Sequence, residues 1–209
     1  MTSPFTARQA GLASIVAAAL MVVSQVSQLV LPLTMPESFW IATQSLRMGL
    51  AFLAMFALLL ALTGLYSRQV RGAGGLGLVG YLVAFLGTML VAGDWWYEAF
   101  IGPALREQAP EVLTTAPIAS IIIGAAITSV TFAAGWAIFG LATVRAGVFP
   151  RRMAVLMTVG GVAGVLTLIA PFQLPLAFAV GWMGWWLVGA DARLNVAAQA
   201  QGYDTPTSA

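Results

Sequence analysis

The chain reads as long apolar stretches separated by short polar connections. Six stretches reach or approach the roughly 20 apolar residues that a helix rising 1.5 Å per residue needs to cross a bilayer. They are Ala10–Leu31, Leu46–Tyr66, Gly75–Tyr97, Ile118–Thr143, Met153–Ala170 and Phe172–Gly189. Each is apolar on all sides rather than along one stripe, which is the pattern of a helix buried in lipid. The short alternating segments of a β-barrel are not present. The predicted fold is therefore all-α, a polytopic bundle of six transmembrane helices forming one domain over residues 1–194. Pro171 and Pro175 flank a tight connection between the last two spans. Residues Pro103–Glu111 predict a short interfacial helix in an outer loop. The polar, small segment Asn195–Ala209 predicts a disordered cytoplasmic tail. The first apolar run is longer than the roughly 7–15 residues of a signal peptide, and no Ala-x-Ala site follows, so it is expected to remain as a span.

Charge sets the expected orientation. All nine basic residues are Arg. With the N-terminus inside, Arg8, Arg68, Arg71, Arg145, Arg151, Arg152 and Arg193 fall on the cytoplasmic side, and only Arg47 and Arg106 fall outside. Positive residues concentrate on the cytoplasmic side of membrane proteins, so both termini are predicted inside. Glu37, Asp94, Glu98, Glu107 and Glu111 fall outside, Asp191 and Asp204 inside.

Composition agrees with lipid as the solvent. Hydrophobic residues make up 60% of the chain and charged residues 8%, against roughly 25% charged in a soluble domain. Arg without Lys, with abundant Ala, Gly and Val, fits a GC-rich bacterial genome. The expected location is thus a bacterial cytoplasmic membrane, crossed several times. The absence of Cys removes disulfides, thiolate nucleophiles and Cys-bound metals. The absence of His removes bis-His haem ligation and imidazole acid–base work. Without Lys no Schiff base can form. No cofactor is expected.

Two sequence patterns bear on family and symmetry. The segment Phe139–Leu166, FGLATVRAGVFPRRMAVLMTVGGVAGVL, resembles one found in small uncharacterised six-span membrane proteins of actinobacteria and related bacteria. Their pattern is a helix end with Gly-Leu, a basic residue, a Gly-Val/Leu-Pro-Arg turn and a Gly-rich helix. Here Phe149 stands between Val148 and Pro150. The resemblance covers about an eighth of the chain; it implies topology and transfers no catalytic residue. The run Thr63–Arg68 also echoes Phe139–Arg145. Either hairpins were duplicated, or two helices ending in Arg at the same membrane face look alike.

The residues that could carry chemistry cluster at the outer end. Asp94 and Glu98, spaced i, i+4, share one helical face, with Trp95, Trp96 and Tyr97 around them. Arg47 lies at the outer end of the second span, Gln25 and Gln28 on the outer half of the first, and Gln44 and Gln173 also on the outer side. Two amides in one span need partners inside the bundle. One reading is a ligand-binding pocket made of Asp94, Glu98, Arg47, Gln25, Gln28, Trp95 and Trp96, able to take a cation, an amine or a lipid headgroup. The other is an interfacial aromatic belt with snorkelling charges.

Further features point to structure rather than chemistry. Trp182, Trp185 and Trp186, with Trp136 at similar depth, read as packing and inner-belt anchors. Gly160 and Gly164 have GxxxG spacing, and Gly161 widens the small face, permitting close helix approach within the bundle or between subunits. Arg145, Arg151 and Arg152 could meet anionic headgroups. Arg71–Gly77 is Gly-rich but lacks the Lys-Ser/Thr of a phosphate-binding loop. Membrane lipids are expected partners, a homo-oligomer or membrane-protein partner is open, and nothing suggests nucleic acid.

The sequence assigns no metal site and no catalytic residue. The favoured class is a non-enzymatic binding, accessory or regulatory membrane protein. The alternatives are a small transporter or channel for a cation or hydrophobic solute, and a carboxylate-dependent membrane enzyme. Transport usually shows an ionisable residue near the midplane or a broken span; the predicted spans show neither.

Overall fold

The computed structural model describes residues 6–111 and 119–203, with residues 191–203 as backbone only. Helices follow one another as α1 (Ala7–Thr34), α2 (Glu37–Ala42), α3 (Gln44–Phe100), α4 (Gly102–Gln108), α5 (Ala119–Ala146), α6 (Arg151–Ala163) and α7 (Leu174–Tyr203). No strand occurs among the described residues. Thr6 starts α1 with a capping box: its hydroxyl accepts from Gln9 N, and Gln9 Oε1 accepts from Thr6 N. Two of the four orphan donors of a helix start are thereby satisfied.

The run α3 is two arms, not one rod. Gly74 interrupts it with φ 56° and ψ −154°, a left-handed φ that glycine adopts without Cβ strain. The arms fold back on each other. Tyr66 stacks on Tyr81 with ring centroids 4.5 Å apart, and at the far end Gln44 Nε2 donates to Glu98 Oε2 at 3.0 Å.

The same antiparallel pairing recurs around the molecule. α1 packs on the first arm of α3 through Ala10 against Gly64, and on α7 through Gly11 and Ser14 against Gly184. The second arm packs on α5, α5 on α6, and α6 on α7. Six helical segments thus alternate up and down in a closed ring.

Small residues set its diameter. Gly87 lies against the backbone of Phe132, Gly135 against that of Ala84, and Gly161 against that of Ala137. A Cβ on Gly160 would lie 2.5 Å from Leu176 N, and one on Gly164 2.8 Å from the Phe132 ring. The predicted glycine face of α6 therefore serves neighbours inside the bundle, on two sides. Between these seams Met55, Leu58, Leu62, Trp136, Phe139, Met157 and Met183 fill the centre.

Three helices are long and apolar enough to cross a membrane: Ala7–Thr34, the run Gln44–Gln108 and Ala119–Ala146. Leu174–Ala190 is a shorter apolar helix. Two predicted boundaries are corrected. The expected single span Met153–Ala170 is an α-helix only to Ala163, followed by a 3₁₀ turn at Gly164–Leu166 and further turns. Glycine is a poor helix former, and Pro171 has no N–H with which to continue the ladder. The helix α7 also runs to Tyr203, through the first part of the predicted tail, where Ala197, Ala198 and Ala200 favour helix. The rest of that tail lies outside the described residues. A short helix, α4 over Gly102–Gln108, stands where one is expected over Pro103–Glu111.

The two ends of the ring differ in charge. Arg8, Arg68, Arg71, Arg145, Arg151 and Arg152 lie at one end, where α1 and α6 begin, α3 bends and α5 finishes. Arg47 and Arg106 lie at the other. The outward faces between are apolar: Leu53, Phe56, Leu82, Leu86, Ile127, Val130, Val159 and Phe178 are all more than half exposed.

Candidate ligand-binding cavity

At the end opposite the six arginines, a cavity of about 570 Å³ opens between the two arms of α3, α4 and α5. Trp40 of α2 and Gln44, Arg47 and Met48 of α3 line one wall. Asp94, Trp95, Tyr97 and Glu98 line the second, and Arg106 of α4 the third. Ile121, Gly124, Ala125 and Leu168 make the apolar side.

Local packing explains how these side chains are held. Trp40, Gln44, Arg47 and Met48 follow i, i+4 and i+3 steps, so they share one face as the chain passes from α2 into α3. Arg47, 4% exposed, donates from Nη2 to the Trp40 carbonyl at 3.0 Å. Its guanidinium carbon sits 4.9 Å from the Trp40 ring centroid, a cation–π contact. Gln44 ties the arms together by donating to both the Glu98 carboxylate and its carbonyl. Gly102 passes beneath that carboxylate, where a Cβ would lie 3.2 Å from Glu98 Oε2. This approach brings Arg106, one turn further along α4, to the cavity.

Charges in the cavity are not consumed by one another. Among the described residues neither Arg47 nor Arg106 forms an ion pair with Asp94 or Glu98. Asp94 lies within hydrogen-bonding reach of the Thr128 hydroxyl, yet its Oδ2 is buried without a partner. So are Arg47 Nε, Arg106 Nη1, Trp40 Nε1, Trp95 Nε1 and Gln44 Oε1. Six buried polar atoms without partners, four donors and two acceptors, therefore belong to residues that line one cavity.

Of the residues predicted as a pocket, Asp94, Glu98, Arg47 and Trp95 come together here. Three do not, and the expected convergence is corrected for them. Trp96 points outward, 47% exposed, against Phe100. Gln25 and Gln28 sit on α1, which packs on α7 and the first arm of α3 and supplies no wall of the cavity. Gln28 donates back to Ser24 Oγ on its own helix at 3.1 Å. Gln25 is buried, with its Oε1 unpartnered. Gln173 closes the turn before α7 by donating to the carbonyl and hydroxyl of Thr167. Trp40, Met48, Arg106, Ile121, Gly124, Ala125 and Leu168 were not among the predicted site residues. Trp40 could have been found from its i, i+4 step to Gln44.

The tryptophan cluster at the other end separates into two parts. Trp182, Trp185 and Trp186 line a shallow cavity with Met153 and Gly189, and Trp185 is 74% exposed. Trp136 is fully buried and donates to Thr88 Oγ1 at 3.0 Å. One residue past the first of the two echoing helix ends, Gln69 Nε2 donates to Thr143 Oγ1 of the second at 2.9 Å. Among the described residues no group of three or more acidic, His or Cys side chains could hold a metal ion.

No family model, curated protein or solved structure matches the chain. A functional reading therefore rests on the cavity and its residues.

Proposed function

We propose that the chain is a multi-pass protein of the bacterial cytoplasmic membrane, with six spans and both termini inside, that binds a small polar ligand in a cavity at its outer face. The apolar outward faces and the scarcity of charge support lipid as its surroundings. The concentration of arginines at one end supports that end as cytoplasmic. On this reading the fifth span is short, its α-helical part about 20 Å long at 1.5 Å per residue.

One observation carries the binding role: six buried, unpartnered polar atoms on residues that line one cavity. Leaving a buried donor or acceptor unsatisfied costs about 1–3 kcal/mol, and more for a charged group. A cluster of them in one concave site is the arrangement expected where a ligand completes the hydrogen bonding. The bundle beneath is filled by Met55, Phe132 and Trp136, which favours binding over a continuous path. An interfacial belt would instead turn its charges and indoles outward to headgroups, as Trp96 does.

Native mass spectrometry of protein released from its own membrane in mild detergent tests the reading. Wild type should retain a small molecule that Arg47→Gln loses. A wild-type protein that consistently carries no adduct beyond loosely held bulk lipid would sink the binding role.

A further inference from the structure

Resting on that binding role, we propose that the ligand is a zwitterion, with an anionic group held by Arg47, Arg106 and the two indole N–H groups, and an ammonium held by Asp94 and Gln44. The partition of unpartnered atoms carries the argument. Arg47 Nε, Arg106 Nη1, Trp40 Nε1 and Trp95 Nε1 are donors only, and Asp94 Oδ2 and Gln44 Oε1 are acceptors. The donors call for a group rich in acceptor oxygens, a carboxylate or phosphate, for which guanidinium is well suited. The acceptors call for a group rich in donors.

Other ligand classes fail on one side each. An apolar ligand leaves all six atoms unmet. A simple cation faces two guanidinium groups. A simple anion meets the four donors but confronts the Asp94 carboxylate and leaves both acceptors bare. Total charge points the same way. Two guanidinium groups and two carboxylates make the walls neutral in sum, so a ligand of zero net charge adds no uncompensated charge to a site beside hydrocarbon. Glu98 Oε2 accepts from Gln44, whereas Asp94 Oδ2 has no partner, so Asp94 is the acidic group assigned to the ammonium. Ile121 and Leu168 offer an apolar surface to the carbon skeleton.

An ammonium and an anionic group coexist in free amino acids and in phosphoethanolamine headgroups. The test separates these sources. Purified wild type is titrated by calorimetry with leucine and with dihexanoyl-phosphatidylethanolamine, each beside its single-charge analogues: leucinamide and N-acetyl-leucine for the first, dihexanoyl-phosphatidic acid for the second. One zwitterion should bind at least tenfold tighter than its single-charge analogues, and which one does so names the source. Asp94→Asn should erase the preference over the anionic analogue while keeping anion binding. Arg47→Gln should lose both, and Arg106→Gln, on the peripheral helix α4, supplies the same readout if Arg47→Gln does not fold.

A single-charge analogue that binds as tightly as its parent overturns the proposal, as does binding of neither zwitterion. If native spectra still show an Arg47-dependent adduct, the binding role survives and only the ligand class is wrong. If they show none, both fall.

Discussion

Three indoles in this molecule occupy different situations. Trp136, in the seam between α5 and the second arm of α3, gives its N–H to Thr88, whose hydroxyl in turn donates to the Ala84 carbonyl at 2.7 Å. Trp40 and Trp95, on the cavity walls, have N–H groups that are buried and unpartnered. The seam is closed by Gly87 and Gly135 against neighbouring backbone, and its indole is satisfied locally. The cavity end keeps comparable groups in reserve. A polar group satisfied by its own fold stabilises that fold, and one left unsatisfied in a concave site is available to a ligand. The two regions should therefore fail differently when altered.

The largest effect is expected in the seam. Gly135→Val drives a side chain into the Ala84 backbone, which cannot yield as a flexible side chain would. The loss should exceed the about 1–3 kcal/mol of ordinary overpacking, and the yield of monodisperse protein in detergent should collapse. Near-normal yield would mean that the seam is looser than described. At the cavity, Arg47→Gln should weaken ligand retention by about 30-fold or more, in line with roughly 2–5 kcal/mol for truncating a buried charged partner. Its melting temperature without ligand should stay level or rise, because a desolvated charge is removed.

A paired exchange sharpens the contrast. Trp136→Phe should lower unfolding free energy by about 1–2 kcal/mol through one lost hydrogen bond and reduced packing, without changing ligand binding. Trp95→Phe should do the reverse, weakening binding several-fold with little change in stability. Equal stability losses at both sites would erase the distinction. The smallest effect is expected at Thr143→Val, which deprives the buried Gln69 amide of its acceptor and should cost about 1 kcal/mol, the low end for a buried donor left unsatisfied, in an equilibrium unfolding assay.

Much of the helical arrangement is legible in the sequence, because a 20-residue apolar run bounded by Arg or Pro has few alternatives. The break at Gly74 falls between two predicted spans, among Gly72, Gly74 and Gly75. The end of α6 is harder to read: hydropathy continues to Ala170, and only the low helix propensity of Gly160, Gly161 and Gly164 hints at the change to 3₁₀ and turn. In the cavity, Asp94, Glu98, Arg47 and Trp95 were legible as charges and an indole at one depth. Gln25 and Gln28 share that depth but sit on α1, on the other side of the first arm, and which helices are neighbours in a ring is not written in periodicity. The same gap hid Arg106, whose approach depends on Gly102 passing under Glu98.

The sharp bend at Gly74 joins the two arms of α3 with almost no slack between them. In an α-helix each added residue advances the rotation by about 100°. One residue inserted just after Gly74 and absorbed into the second arm would therefore swing Asp94 and Glu98 off the cavity wall, about 20 residues from the edit. The bend acts as a phase-setter, fixing at one end of the bundle which side chains meet at the other. Tags or reporters placed there would misalign the cavity walls even where the protein still folds.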